Sequence, residues 1–183
     1  MAKSALRKLK SGGGLSLTEL LLCMIILLFF LNVSTYAFDL GIRHFQARTR
    51  ESEARILCNT LSLAVQDQLT YIKVKESTFS GDELETYVRS AEDFDKVTCS
   101  LKNVAGRLCV NYKLDAMEKP YQFSLTDEAD YADGDLMVDD FSVKKSGNAF
   151  QVTISIKSKT LKIQPVRNEF AVTPIYSEAL TQS

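Results

Sequence analysis

The sequence predicts an α+β fold, with one long N-terminal helix laid against a C-terminal antiparallel sheet. Three observations carry that prediction. From Leu20 to Phe38 nineteen residues carry no formal charge, enough to cross the hydrocarbon core of a bilayer as a helix. From Ala54 to Ile72 the residues Ala54, Leu57, Leu61, Ala64, Val65, Gln68 and Ile72 recur at three- and four-residue intervals, which marks one buried helical face. Beyond Lys96 the period drops to two, the signature of strands with one face covered. The expected layout is a basic N-terminal segment (1–14), a membrane-spanning helix (15–38), its amphipathic continuation (39–74) and a sheet domain (75–183).

Bulk composition conceals this segregation. With 45% hydrophobic and 25% charged residues and a net charge of −1, the chain would pass for an ordinary soluble protein. Its first fourteen residues, however, hold Lys3, Arg7, Lys8 and Lys10 and no acid. Without those four charges the remainder carries −5. An acidic remainder has no electrostatic reason to grip nucleic acid, and none is expected as a direct partner.

No proline precedes Pro120, so one helix from Leu15 to Val74 is expected, about 90 Å long at 1.5 Å per residue. Gly41 is its natural point of bending. Lys73 to Ser80 reads as a polar break. Asp82 followed by Glu85 then reads as a capping box for a short helix over Glu83 to Ser90. Strands are expected over Lys96 to Lys102 and Arg107 to Leu114, around a loop Asn103-Val104-Ala105-Gly106, and over Tyr121 to Leu125. Leu136 to Lys144 and Ala149 to Lys157 form the clearest hairpin. Leu161 to Ile163 and Phe170 to Val172 are edge pieces beside Pro165 and Pro174. Four to six strands result, and the Ala54 to Ile72 stripe is the cover they need.

Glu19 is the anomaly, because a carboxylate at the edge of lipid is kept only where it finds a partner or stays neutral. No Lys or Arg lies between Leu15 and Phe38. Cleavage after Gly14 would create one, since Leu15 would then carry a free α-amine four residues before Glu19, on the same face of a helix. Between neighbouring chains the same pair becomes an assembly device.

These residues carry a resemblance. A short basic leader, then Gly14-Leu15-Ser16-Leu17-Thr18-Glu19, then a long apolar helix resembles the type III signal of type IV pilins and pseudopilins, whose usual pattern is G-F-T-L-x-E. The likeness covers about the first quarter of the chain. Leu15 stands where that family usually has phenylalanine, and no proline interrupts the apolar helix. The resemblance implies a pilin-like fold, cleavage after Gly14 by prepilin peptidase, N-methylation of Leu15, and Glu19 as the carboxylate that sets register. The partners it implies are the peptidase, other pilin subunits, the assembly platform and membrane lipid. The resemblance also implies a cytoplasmic N-terminus and an extracytoplasmic sheet domain, displayed in a surface filament after assembly. The segments Leu136 to Val143 and Phe150 to Ile156 also resemble, weakly, the strands of one minor pseudopilin group. The rival expectation is a monomeric single-pass membrane-anchored binding or sensor protein.

Other chemistry is sparse. Cys23 lies in the span as a small apolar residue. Cys99 and Cys109 flank the expected Asn103–Gly106 loop, so a bridge between them, a pairing that includes Cys58, and reduced buried thiols are all open. The acidic run Asp127, Glu128, Asp130, Asp133 and Asp135, with Asp139 and Asp140 beyond, invites a calcium reading. Ala129 and Tyr131 occupy places where such a loop needs ligands, and a solvated acidic loop is expected instead. His44 is the one histidine and reads as a packing or interfacial residue. With no phosphate loop, nucleophile elbow or metal-ligand spacing, no catalytic residue, metal or cofactor is expected.

Overall fold

The computed structural model describes residues 16–89, 97–114 and 119–175. Contacts divide the chain into two compact units, Met1–Gln46 and Ala47–Ser183. Helix α1 spans Leu17–Thr70. In the first unit its side chains from Leu17 to Phe38 are exposed on every face, Ser34 alone being half-buried. Among the described residues α1 is the one helix long and apolar enough to cross a membrane.

The second unit joins the end of α1 to eight strands: β1 Ile72–Ser80, β2 Glu83–Arg89, β3 Val97–Val104, β4 Arg107–Leu114, β5 Tyr121–Ser124, β6 Leu136–Ser146, β7 Ala149–Ser158 and β8 Val166–Val172. All pairings are antiparallel, in the order β5-β4-β3-β2-β6-β7-β8, with β1 also on β2. Long helix and antiparallel sheet are the α+β arrangement expected.

The helix buries Ala54, Leu57, Cys58, Leu61, Ser62, Val65, Gln68 and Leu69. Opposite them stand Tyr87, Leu108, Val110, Leu136, Val138, Val143, Phe150, Val152, Ile154 and Ile156 in one core cluster. Fully burying an aliphatic side chain contributes about 1.5–3 kcal/mol, so this stripe is what holds helix to sheet. Its polar members are paired: Tyr87 Oη donates to Gln68 Oε1 at 3.3 Å, and Asn168 Nδ2 to Ser62 Oγ at 2.9 Å.

Five sequence expectations are corrected. The helix stops at Thr70, not Val74, because Ile72 and Val74 already alternate inward as strand residues. Lys73 to Ser80 is strand rather than break: Phe79 stacks on Phe150 with ring centroids 6.3 Å apart. Glu83 to Arg89 is strand rather than helix. Its β-branched and aromatic run Thr86-Tyr87-Val88 suits a pleated surface, and Gly81, at φ +63°, opens a two-residue hairpin turn from Ser80 to Glu83. Leu161 to Ile163 forms no strand, and among the described residues the sheet has eight strands where four to six were expected. The reason is common to most of these errors: β1 and β2 lack strict alternation, and their pairing partners lie in other strands.

The turn of the β3–β4 hairpin is two residues, Ala105 at φ +53° and Gly106 at φ +84°. It docks on β6, where Val138 N–H donates to Gly106 O at 2.8 Å and Val138 O accepts from Asn103 Nδ2 at 2.9 Å. The β6–β7 ladder bulges between Val138 and Asp140 at this point. A Cβ on Gly106 would meet Met137 Cβ at 2.8 Å. Gly106→Ala therefore combines left-handed strain with a clash, and a loss of about 2 kcal/mol is expected, measured by urea denaturation of the detergent-solubilised chain.

Candidate functional site

The site is built at the start of α1. Ser16 stands just outside the helix as its N-cap, and Glu19 is the third helical residue. Ser16 N–H donates to Glu19 Oε2 at 3.0 Å, and Glu19 N–H donates to Ser16 Oγ at 3.3 Å. Ser16 Oγ also lies 2.8 Å from Thr18 Oγ1. Two donors of the first turn are thus satisfied reciprocally, as a capping box, and the carboxylate sits where the helix dipole favours negative charge. The sequence reading missed this. It looked for a cation to pair with Glu19 and passed over Ser16-x-x-Glu19, which was legible as the N-terminal signature of a helix. Gly14 and Leu15, the expected cleavage and methylation positions, lie outside the described residues.

Beyond Glu19 two polar side chains of the apolar stretch bond back to the helix backbone. Asn32 Nδ2 donates to Leu28 O at 3.0 Å, and Thr35 Oγ1 to Leu31 O at 2.9 Å, which lowers the cost of carrying them in hydrocarbon. Charge resumes with Asp39, paired to Arg43 at 2.9 Å. Phe29 and Phe30 are each 70% exposed. Such a surface needs lipid or other helices to cover it.

Several members of the acidic run have structural partners. Asp127 N–H donates to Asp130 Oδ2 at 3.2 Å at the start of a single 3₁₀ turn, Glu128–Tyr131. Glu128 pairs with Arg107, and Asp139 with Lys157. Ala132, Asp133 and Gly134 then follow one another at φ +48°, +55° and +83°, a left-handed run that costs about 1–2 kcal/mol at each non-glycine position. Asp135, which follows, anchors it. Its Oδ1 accepts from Thr160 N–H at 2.9 Å and Thr160 Oγ1 at 2.8 Å, and its Oδ2 from Ser158 Oγ at 2.9 Å. Arg50 Nε of α1 stands 3.5 Å from Oδ2. Burial by itself would raise the Asp135 carboxyl, but the Thr160 and Ser158 donors and the Arg50 charge outweigh it and hold the group below its ordinary value. Among the described residues no three His, Cys, Asp or Glu side chains stand together to hold a metal.

All four cysteines are free thiols, which corrects the Cys99–Cys109 bridge. Cys99 pairs with Tyr112, and Cys109 with Lys102. The odd offset of three residues between Tyr112 and Cys109 turns the two thiols to opposite faces of the hairpin, where no disulfide can form. Cys99 joins the core. Burial pushes the Cys58 thiol up and that of Cys99 up to about 11, the latter against the pull of Arg89.

Comparison of the chain with protein-family models, with curated proteins and with solved structures finds no match.

Two outcomes are expected from these geometries. Asp135→Asn should cost about 1.5 kcal/mol of stability, the scale of losing hydrogen bonds to a charged group in a half-buried setting. In the parent chain the folded carboxyl titrates below its unfolded value, so its stabilisation is full above the unfolded value and fades as pH falls through the folded one. Acid unfolding of Asp135→Asn should lack that contribution. Thiol titration in denaturant without reductant should find all four cysteines; half that number would restore a bridge.

Proposed function

We propose that this chain is a structural subunit, and a minor one, of a type IV pilus or of a type II secretion or competence pseudopilus. One observation carries the reading: a carboxylate held in the first turn of a helix whose following nineteen residues bear no charge and are exposed on all faces. The resemblance of Gly14 to Glu19 to the prepilin signal supports it. In this reading prepilin peptidase cuts at Gly14–Leu15 and methylates Leu15. The apolar helix waits in the membrane with the sheet domain outside, then packs among other helices in a filament. Glu19 meets the Leu15 amine of an adjacent subunit, and repetition of one non-closing contact builds the fibre. The chain acts as the substrate of a peptidase rather than as an enzyme.

The second reading, a monomeric membrane-anchored binding or sensor protein, draws on a cleft of about 610 Å³ in the sheet domain. It opens where β2 leaves β3 after the Tyr87–Cys99 pair and meets β6 only at Glu83–Lys144, and Leu84, Leu101, Phe141 and Val143 line it.

Intact mass and N-terminal sequencing of the chain extracted from its host membrane test the proposal. A start at methylated Leu15 is expected. An uncut N-terminus beside an active prepilin peptidase would leave the anchored binding protein. Glu19→Ala should be cut normally but enter filaments about tenfold less, equivalent to roughly 1.4 kcal/mol per contact. Incorporation equal to the parent would remove Glu19 from the register.

A further inference from the structure

We infer that α1 carries a self-association site at mid-membrane, in which Asn32 of one copy hydrogen-bonds Asn32 of a second. The inference rests on α1 lying in lipid, which both readings above share, and does not need a filament. Glu19 and Asp39 bound the nineteen uncharged residues, so the span is centred on Phe29. Asn32 stands three residues further on, about 4.5 Å along the axis at 1.5 Å per residue. That is well inside a hydrocarbon core about 30 Å thick. The side chain is exposed on the helix surface.

At that depth no water answers a polar group. A carboxamide brings two N–H donors and an acceptor oxygen. One donor is used, from Nδ2 to Leu28 O at 3.0 Å; among the described residues nothing meets the second donor or Oδ1. Thr35 differs, because its single O–H is already given to Leu31 O. What remains on Asn32 is a donor and an acceptor on one group, which is its own complement. Copies of one chain enter the membrane in the same direction, so two parallel helices bring their Asn32 side chains together at equal depth. A helix of another sequence would need a polar group at that same level. Ile25, Leu28, Phe29 and Asn32 line a concavity of about 240 Å³. Ile25 and Leu28, seven and four residues before Asn32, share its face and supply apolar contact around the pair. Cys23, nine residues before it, lies about two and a half turns away, on the opposite face. The contact is closed and stops at two copies, unlike a contact that repeats along a fibre.

The experiment measures the monomer–dimer equilibrium of the full-length parent, Asn32→Leu and Asn32→Gln by sedimentation equilibrium in density-matched detergent micelles. The parent should dimerise reversibly. Asn32→Leu, which suits lipid at least as well, should raise the dissociation constant about fivefold, on the scale of one interhelical hydrogen bond in a membrane. Asn32→Gln keeps the carboxamide and should stay close to the parent. In phosphatidylcholine vesicles, oxidation should cross-link Ile25→Cys in a Cys23→Ala background more than it links the parent through Cys23. A monomeric parent, an Asn32→Leu variant that dimerises as well as the parent, an Asn32→Gln variant as weak as Asn32→Leu, or preferred linking through Cys23 would overturn the site. Each would leave the pilin reading standing. Cross-linking of Ile25→Cys in the host membrane to a different protein, and not to a second copy, would likewise overturn the self-pair.

Discussion

The sheet domain depends on the burial of one helical stripe. Ala54, Leu57, Cys58, Leu61, Val65 and Leu69 are almost wholly removed from solvent, and so are the β7 residues Phe150, Val152, Ile154 and Ile156. Neither surface has another cover within the described residues. An antiparallel sheet with one apolar face gains stability only when that face is packed, and a stripe at helical spacing is the matching surface. The polar pairs at its margin, Gln68 with Tyr87 and Asn168 with Ser62, let the contact continue to its edges without leaving buried groups unmet.

A second requirement acts on the first unit. There α1 shows its apolar side chains in all directions, and no described residue covers them. Such a surface is long and apolar enough to cross a membrane. At its start Ser16 N–H meets part of the hydrogen-bonding demand of Glu19, on one carboxylate oxygen. A carboxylate that kept its full demand for water would resist burial in lipid.

Asp135 plays a comparable part in the sheet domain. It ends three consecutive left-handed residues and collects Ser158, Thr160 and Arg50. Backbone strain there is offset by hydrogen bonds to one ionised group. The neighbouring acidic residues read in sequence as a charge cluster. In space they are spent on the cap of a 3₁₀ turn and on the ion pairs Glu128–Arg107 and Asp139–Lys157.

Features carried by local periodicity were legible in the sequence: the uncharged span, the inward stripe of α1 from Ala54, and the hairpin of β6 and β7, where Val152, Ile154 and Ile156 alternate without interruption. Ser16-x-x-Glu19 was equally local and was passed over, whereas Asp82-x-x-Glu85 was taken for a cap and lies in a hairpin. The two motifs look alike on paper. Only pairing with β1 and β3 makes Glu83–Arg89 a strand, and no window of sequence contains those partners. The faces of Cys99 and Cys109 followed the same rule, since register is a relation between strands and a shift of one residue reverses every side chain. The sequence alone determined where the chain is apolar, charged or periodic, because those are properties of neighbouring residues. Tertiary structure decided which edges meet and which thiols face apart, because hydrogen-bonded register is paid for by contacts distant in the chain.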